Sequence, residues 1–265
     1  MKKLLTAFLL MVCLAQAQTS ERHRVKSLHI EVLSTMLNSG SGIGEWGFSA
    51  VVDVDGRRIL FDTGGRPEAV LKNAKELHVD LSNIPDVILS HHHPDHTGGL
   101  LMLRKSVLED NKPEALATIH VGKGIFYPRR DARGQVSNAM AKRRADFEAS
   151  GGRTVEYDHA VEIFPGVWLT GPVPRTYPEQ NWDRDVQVQT AGGWKEDNIP
   201  EDMSLVFDRR RLSVAIRLRS CGGREYNPVR TRPNSEGAAR CRCRPPVVRS
   251  LWFFGGAGRR GRSDG

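Results

Sequence analysis

The strongest constraint on the fold of this chain is a ten-residue loop, residues 90–99, with four potential metal ligands within six positions. They are His91, His93, Asp95 and His96. The loop follows an apolar run at residues 87–89, which is typical of a strand buried on both faces. It ends in Gly98-Gly99, and glycine permits a sharp turn into a following helix. This arrangement predicts a metal centre at the end of a buried strand.

The spacing of these side chains indicates two ions. His91 and His93 are separated by one residue at a strand end and can point to a first metal. Asp95 and His96 lie further along the loop and can bind a second, which makes Asp95 the candidate catalytic carboxylate. Zinc accepts both imidazole nitrogen and carboxylate oxygen, and the same donors also suit manganese and iron. Two such ions can share a hydroxide and stabilise an oxyanion.

Four polar residues other than the predicted ligands are candidates for a role at the metal centre or in the structure. Asp62 ends an earlier strand, and we expect its carboxylate to orient a ligand histidine by accepting a hydrogen bond; a plain turn or capping role is the alternative. His92 is predicted to be an exposed loop residue without a ligand role. His120 and His159 are isolated in the sequence and are predicted to be structural.

Alternating strand and helix patterns predict an α/β fold with a layered helix–sheet–sheet architecture. Strands at residues 48–54 and 58–61 flank an Asp-Gly pair at 55–56, which favours a hairpin. A charged helix is predicted over residues 138–150. The last convincing strand pattern lies at residues 204–207.

Two stretches resemble the metallo-β-lactamase fold superfamily. They are Ile59-Leu60-Phe61-Asp62-Thr63-Gly64 and the segment from Leu89 through the histidines to Leu100. Three further stretches resemble the branch described as dihydropterin- or ribofuranosylaminobenzene-phosphate-synthase-like hydrolases. They are Gly171-Pro172-Val173-Pro174-Arg175-Thr176, then Glu179, then Glu201-Asp202-Met203-Ser204-Leu205-Val206. The resemblance covers about residues 28–208.

The resemblance implies an αββα sandwich built from two similar halves, with the second half incomplete here. It also implies two divalent ions, zinc before manganese or iron, and a bridging hydroxide that attacks an ester, phosphoester or amide bond. Arg175 is then expected to hold the anionic group of a small-molecule substrate, because a guanidinium pairs well with phosphate or carboxylate. A surface salt bridge is the alternative role for Arg175.

The chain departs from the family pattern after residue 207. The family has a further strand there, then a Ser-Gly-Cys-x-His-x-Gly turn that supplies a third histidine to the first metal. A bridging carboxylate and a final histidine come later. No histidine follows His159 in this sequence. Each ion would keep two ligands from the loop and lack its distal ones, so an inactive metal-binding remnant is the rival interpretation.

Residues 209–265 differ in composition from the rest of the chain. They hold 15 Arg, no Lys and three acidic residues, a net charge of +12, whereas the whole chain carries +8 and the first 208 residues therefore carry −4. Residues Arg211 through Tyr226 can be translated back into degenerate codons and read one nucleotide later. The shifted reading frame permits a sequence that contains the missing strand and the missing ligand turn. We therefore expect a frameshift, which an intact frame across codons 205–215 in independent isolates would contradict. A genuine basic extension that binds nucleic acid or anionic lipid is the alternative.

The opening residues predict export. A basic start at residues 2–3, an apolar run at 4–14 and small residues at 15 and 17 are typical of a secretory signal peptide. We expect a signal peptide at 1–17, a metallo-β-lactamase-like domain at 18–208 and an out-of-frame or disordered tail at 209–265. The protein is then periplasmic or secreted. The apolar run is too short for a stable membrane anchor, and the acidic body makes a nucleic-acid partner unexpected.

Overall fold

A computed structural model of the protein describes residues 23–37, 42–175, 185–209, 212–216 and 249–251. The predicted signal peptide at residues 1–17 lies outside the described residues, as does most of the segment 209–265. Within the described ranges, no helix combines the length and the apolar character needed to cross a membrane.

The described residues form short strands and four helices. The strands are β1 Leu28–Ser34, β2 Ser49–Val54, β3 Arg57–Phe61, β4 Asp86–Leu89, β5 Thr118–Gly122, β6 Arg129–Arg130, β7 Val136–Ser137, β8 Arg153–Tyr157, β9 Val161–Phe164, β10 Val167–Leu169, β11 Gln187–Thr190, β12 Gly193–Glu196, β13 Leu205–Arg209, β14 Leu212–Ile216 and β15 Arg249–Leu251. The helices are α1 Ala69–Glu76, α2 Pro94–Thr97, α3 Leu100–Glu109 and α4 Ala139–Ala149. The alternation confirms the predicted α/β class.

Three sheets organise these strands. The first sheet has the order β1-β2-β3-β4-β5-β8, and its strands from β3 to β8 run parallel. The second sheet has the order β15-β14-β13-β10-β9. A smaller sheet, β12-β11-β6-β7, pairs segments that are far apart in sequence. The parallel strands end at a common edge, and this edge carries the histidine loop.

Two hydrophobic cores lie on opposite faces of the first sheet. On one face, Val87 and Leu89 pack with residues of α1, α3 and α4, including Phe147. On the other face, Ile88 packs with Phe61 and with residues of β10, β13 and β14 in the second sheet. The first sheet is therefore sandwiched between helices and a second sheet, and this layering confirms the predicted architecture.

Strand β4 shows why its apolar sequence was informative. All four residues of Asp86–Leu89 are buried, and the strand pairs in parallel with β3 on one side and β5 on the other. A central strand with both faces covered needs apolar side chains in both directions. The predicted hairpin is also present, because β2 and β3 pair antiparallel around Asp55 and Gly56, whose φ angles are 51° and 82°.

Two strands lie within the segment that the sequence assigns to the tail. β14 pairs antiparallel with β13 from Leu205↔Ile216 to Arg209↔Leu212. β15 pairs in parallel with β14. The second sheet therefore continues past residues 204–207, where the last strand was predicted, and Ile216 joins the core between the sheets.

Candidate metal centre

The histidine loop begins where β4 ends and leads into α2. Pro94 is the first residue of that helix, a position that suits proline because its missing N–H needs no partner there. The backbone N–H of Thr63 donates to the carbonyl of His96 at 2.8 Å. The N–H of Phe48 donates to the carbonyl of Asp95 at 3.1 Å. The loop is therefore fixed by segments that follow β3 and precede β2.

Gly98 and Gly99 serve close packing rather than a sharp turn. Their φ angles are −64° and −80°, which any residue adopts. A Cβ on Gly98 would lie 1.9 Å from the carbonyl oxygen of Gly65, and one on Gly99 would lie 2.2 Å from that of Thr63. The expectation that these glycines supply backbone freedom is therefore wrong, because the contacts require the absence of a side chain.

Replacing Gly98 with alanine should lower the free energy of unfolding by about 1–3 kcal/mol or more, because the clashing atom is backbone and cannot move aside. Chemical denaturation measures the change. Gly192→Ala is the matched control, since its Cβ would meet nothing closer than 3.5 Å, and it should change stability by less than about 0.5 kcal/mol. Equal stability of the two variants would contradict the packing role of Gly98.

The loop brings the predicted ligand histidines together. The ring centroid of His91 lies 4.6 Å from that of His93 and 4.3 Å from that of His96. The carboxylate of Asp95 lies 3.4 Å from Nε2 of His96. All four predicted ligand side chains therefore lie close to one another at the edge of the first sheet.

Asp62 controls the orientation of two of these rings. Its backbone has a φ of 57°, and its side chain is fully buried. Nδ1 of His96 donates to its Oδ2 at 2.9 Å. The hydroxyl of Ser90 donates to the same oxygen at 2.8 Å, and the N–H of Ser90 donates to Oδ1 at 2.7 Å. The structure thus places Asp62 against His96 directly and against His91 through Ser90.

The relay through Ser90 determines which nitrogen of His91 is free to bind. The Ser90 hydroxyl hydrogen points to Asp62, so its oxygen accepts from Nδ1 of His91 at 2.9 Å. The remaining lone pair of His91 is on Nε2, because a neutral imidazole protonates only one nitrogen. Nε2 is buried and has no hydrogen-bond partner among the described residues. A buried polar atom without a partner is costly, and a metal ion would provide one.

Electrostatics favours the neutral form of two of the rings. Burial holds the pKa of His91 well below its usual range, and the neighbouring histidines lower it further. Burial, with a contribution from His92, lowers the pKa of His93 to about 4. Burial opposes protonation of His96 too, but Asp62 and Asp95 outweigh it and raise its pKa to about 9. Neutral imidazole is the form that binds metal ions, and the lowered pKa values of His91 and His93 favour that form.

The donor set fits a divalent ion with an incomplete set of ligands. Imidazole nitrogen and carboxylate oxygen are ordinary zinc donors, and Nε2 of His91 is presented without a competing partner. In the part of the chain that the structure describes, no group of three or more His, Cys, Asp or Glu side chains is arranged to hold one ion.

Sequence reasoning missed the role of His92. Its side chain is only 14% exposed, and its Nδ1 donates to the fully buried carboxylate of Glu201 at 2.7 Å. The prediction of an exposed loop residue is therefore wrong. The partner lies 109 residues away, so no local pattern could reveal the contact, although Glu201 belongs to a stretch that carried the family resemblance.

The remaining predicted residues occupy polar networks outside the loop. His120 bonds to Asp86 at 2.9 Å and to Tyr157 at 2.8 Å, in accord with a structural role. Nη2 of Arg175 donates to Asp202 at 2.9 Å. The positive charge of Arg175 also helps to lower the pKa of His91. Glu179 lies outside the described residues.

The chain is similar in sequence to a known protein family and to two proteins of one organism. Residues 47–186 match the family model described as the metallo-beta-lactamase superfamily. The chain is 30% identical over 131 residues to a 7,8-dihydropterin-6-methyl-4-(beta-D-ribofuranosyl)-aminobenzene-5′-phosphate synthase of Methanocaldococcus jannaschii, covering 48% of this chain and 44% of that protein. It is 26% identical over 162 residues to an uncharacterized protein of the same organism, covering 60% and 58%. The chain spans about half the length of these curated relatives.

A solved structure agrees with the sequence comparison. A metal-dependent hydrolase of the beta-lactamase superfamily superposes with a TM-score of 0.53 at 25% identity. The match covers 71% of this chain and 64% of that one.

Proposed function

The chain belongs to the metallo-beta-lactamase superfamily, and on that premise we propose that it is a metal-dependent hydrolase whose metal is held by the histidine loop. The observation that carries this proposal is the buried, unpartnered Nε2 of His91. The fixed hydrogen-bond chain from Asp62 through Ser90 leaves the lone pair of that atom available.

His91 and His93 would hold a first ion, and Asp95 and His96 a second. Zinc suits this donor set best, and manganese or iron could replace it. Bound divalent ions supply a hydroxide at neutral pH and stabilise the negative charge of an oxyanion. The protein contributes the orientation of the rings through Asp62 and the exclusion of water around His91, which is fully buried.

The substrate we propose is a small anionic molecule with an ester, phosphoester or amide bond. Support comes from Arg175, whose partner Asp202 directly precedes Met203, the residue that donates to the carbonyl of Ser90, and from the name of the curated relative, a synthase that forms a phosphate-bearing compound. Arg175 already pairs with Asp202, so an anionic group would share the guanidinium with that carboxylate.

A second candidate function is metal binding without turnover. It is favoured by the finding that, across the residues described, no third side chain of ligand type joins either predicted pair. Even the loss of a residue that only orients a ligand costs about 10–100-fold in metal affinity or activity, so two ligands per ion would leave little activity.

A turnover assay on the full chain tests the proposal. The zinc-loaded protein is assayed against chromogenic phosphodiester, phosphomonoester and lactone substrates, before and after treatment with EDTA. The proposal predicts hydrolysis of at least one substrate, lost with EDTA and restored by zinc. Bound zinc without hydrolysis would favour the second candidate, and hydrolysis that survives removal of the metal would contradict the proposal.

A further inference from the structure

A buried ionic network lies directly behind the histidine loop. Asp197 and Glu201 have fully buried side chains. The guanidinium of Arg129 bridges them, donating from Nε to Asp197 at 2.8 Å and from Nη2 to the two oxygens of Glu201 at 2.9 and 2.8 Å. Its Nη1 donates to the carbonyls of Ile125 and Tyr127. The network therefore joins β6 to the segment that connects β12 with β13.

Glu201 is the member of this network that reaches the loop. Its Oε1 accepts from the backbone N–H of His92 at 3.1 Å and from Nδ1 of the same residue at 2.7 Å. Two residues later, the N–H of Met203 donates to the carbonyl of Ser90 at 3.1 Å. The segment 201–203 thus forms hydrogen bonds with the residues on both sides of His91, Ser90 and His92.

The backbone that presents Glu201 is itself strongly constrained. Ile199 is a buried β-branched residue with a φ of 53°, a conformation that such residues rarely adopt. The side chain of Asp197 accepts its N–H at 2.9 Å. A Cβ on Gly122 would lie only 2.0 Å from the carbonyl oxygen of Glu201. Strained backbone of this kind persists only where its surroundings over-determine it, and it clusters at functional sites.

We propose that Glu201 is a positioning residue for the metal centre, which orients His91 and His93 by fixing His92 between them while Arg129 holds the carboxylate in place. The inference rests on the proposed metal-binding function of the loop. The inference goes beyond that function, because it states that Glu201 sets the orientation of His91 and His93. Glu201 lies outside both the histidine loop and the segment that contains Asp62.

The charge of Glu201 is part of this role. Burial would raise its pKa, but His92 and Arg129 outweigh burial and lower the pKa to about 2, so the group is a carboxylate at neutral pH. Glutamine has nearly the same shape but carries an NH₂ group in place of one oxygen. Both oxygens of Glu201 accept from Nη2 of Arg129, and Oε1 also accepts from His92. An amide NH₂ group in place of either oxygen would therefore face a donor instead of accepting from it.

The test compares Glu201→Gln with a matched control, Asp86→Asn. Asp86 is also a carboxylate paired with a histidine, His120, at 2.9 Å, but these two residues lie in β4 and β5 rather than in the loop. Zinc affinity is measured by competition with a chromophoric chelator. The visible spectrum of the cobalt-substituted protein reports ligand geometry, and thermal unfolding in EDTA reports the fold.

We expect Glu201→Gln to weaken zinc binding about 10–100-fold and to shift the cobalt bands, as is usual when a residue that orients metal ligands is lost. Asp86→Asn should leave the spectrum unchanged and the zinc affinity within about twofold, whatever its effect on stability. A folded Glu201→Gln variant with the zinc affinity and cobalt spectrum of the unmodified chain would overturn the proposal.

A second pair of variants covers the case in which Glu201→Gln does not fold. His92→Ala removes the ring donor to Glu201, whereas His92→Asn offers an amide N–H close to the position of Nδ1. We expect alanine to alter the cobalt spectrum and asparagine to restore most of it; unmodified spectra in both would overturn the proposal. Absence of zinc binding by the unmodified chain would contradict the proposed metal-binding function itself. Zinc binding by the unmodified chain together with unaltered variants would contradict only the positioning role of Glu201.

Discussion

His91→Ala is expected to lower the affinity of the chain for zinc by more than about 100-fold. Loss of a residue that merely orients a ligand costs about 10–100-fold, and His91 is a predicted ligand whose Nε2 has no other partner among the described residues. Competition with a chromophoric chelator measures the change. Hydrolytic activity, if present in the unmodified chain, should disappear in parallel.

The control for this variant is His159→Ala. His159 is an exposed histidine whose side chain is 79% accessible and pairs with its neighbour Asp158. Its removal should leave zinc affinity unchanged. Equal affinities of the two variants would show that the loop does not bind the metal, and unfolding in EDTA shows whether the His91 variant keeps its fold.

Asp62→Asn is expected to affect both stability and metal binding. The carboxylate accepts hydrogen bonds from the N–H and hydroxyl of Ser90 and from Nδ1 of His96. An asparagine NH₂ group in place of either oxygen would face another donor and break the buried pair with His96. Breaking a buried ion pair costs about 3–5 kcal/mol, and disturbed ligand orientation should weaken zinc about 10–100-fold. Denaturation in EDTA and chelator competition measure the two effects.

Asp55→Asn is the control for Asp62→Asn. Asp55 also accepts several hydrogen bonds, from the N–H groups of Lys26 and Ser27 and from the hydroxyl of Ser27, but its side chain is 26% exposed. It lies in the β2–β3 turn, before β3 rather than after it. We expect a stability loss of about 1 kcal/mol and unaltered zinc affinity. An Asp62 variant as stable as the Asp55 variant would contradict the orienting role.

The parts of the site that sequence predicted are those encoded locally. The four side chains predicted as ligands fall within six residues, and this short spacing brings them together. The strand before them is apolar because both of its faces are covered. The helix at residues 138–150 was predicted from its pattern, and α4 spans Ala139–Ala149 with Asn138 accepting the N–H of Ala141 at its start. Local rules sufficed because each of these features depends on near neighbours in the chain.

The parts that sequence did not predict depend on contacts between distant segments. Glu201 accepts a hydrogen bond from His92, which lies 109 residues earlier in the chain. Position 98 requires glycine because the backbone of Gly65 packs directly against it. Periodicity and composition predict which residues are buried and where the chain turns. They do not predict that the buried carboxylate of Glu201 contacts the histidine loop. The strand β14 was missed for a similar reason, since it is defined by its pairing with β13 within an arginine-rich segment.

The central claim is that the histidine loop binds a divalent metal, and zinc content measured on the unmodified chain tests it most directly. The full-length protein is stripped with chelator, dialysed against known free zinc concentrations and analysed for bound metal by mass spectrometry. The account predicts saturable zinc binding that His91→Ala reduces by more than about 100-fold in affinity. A chain that stays folded and takes up no zinc, or takes up equal zinc with and without His91, would contradict it.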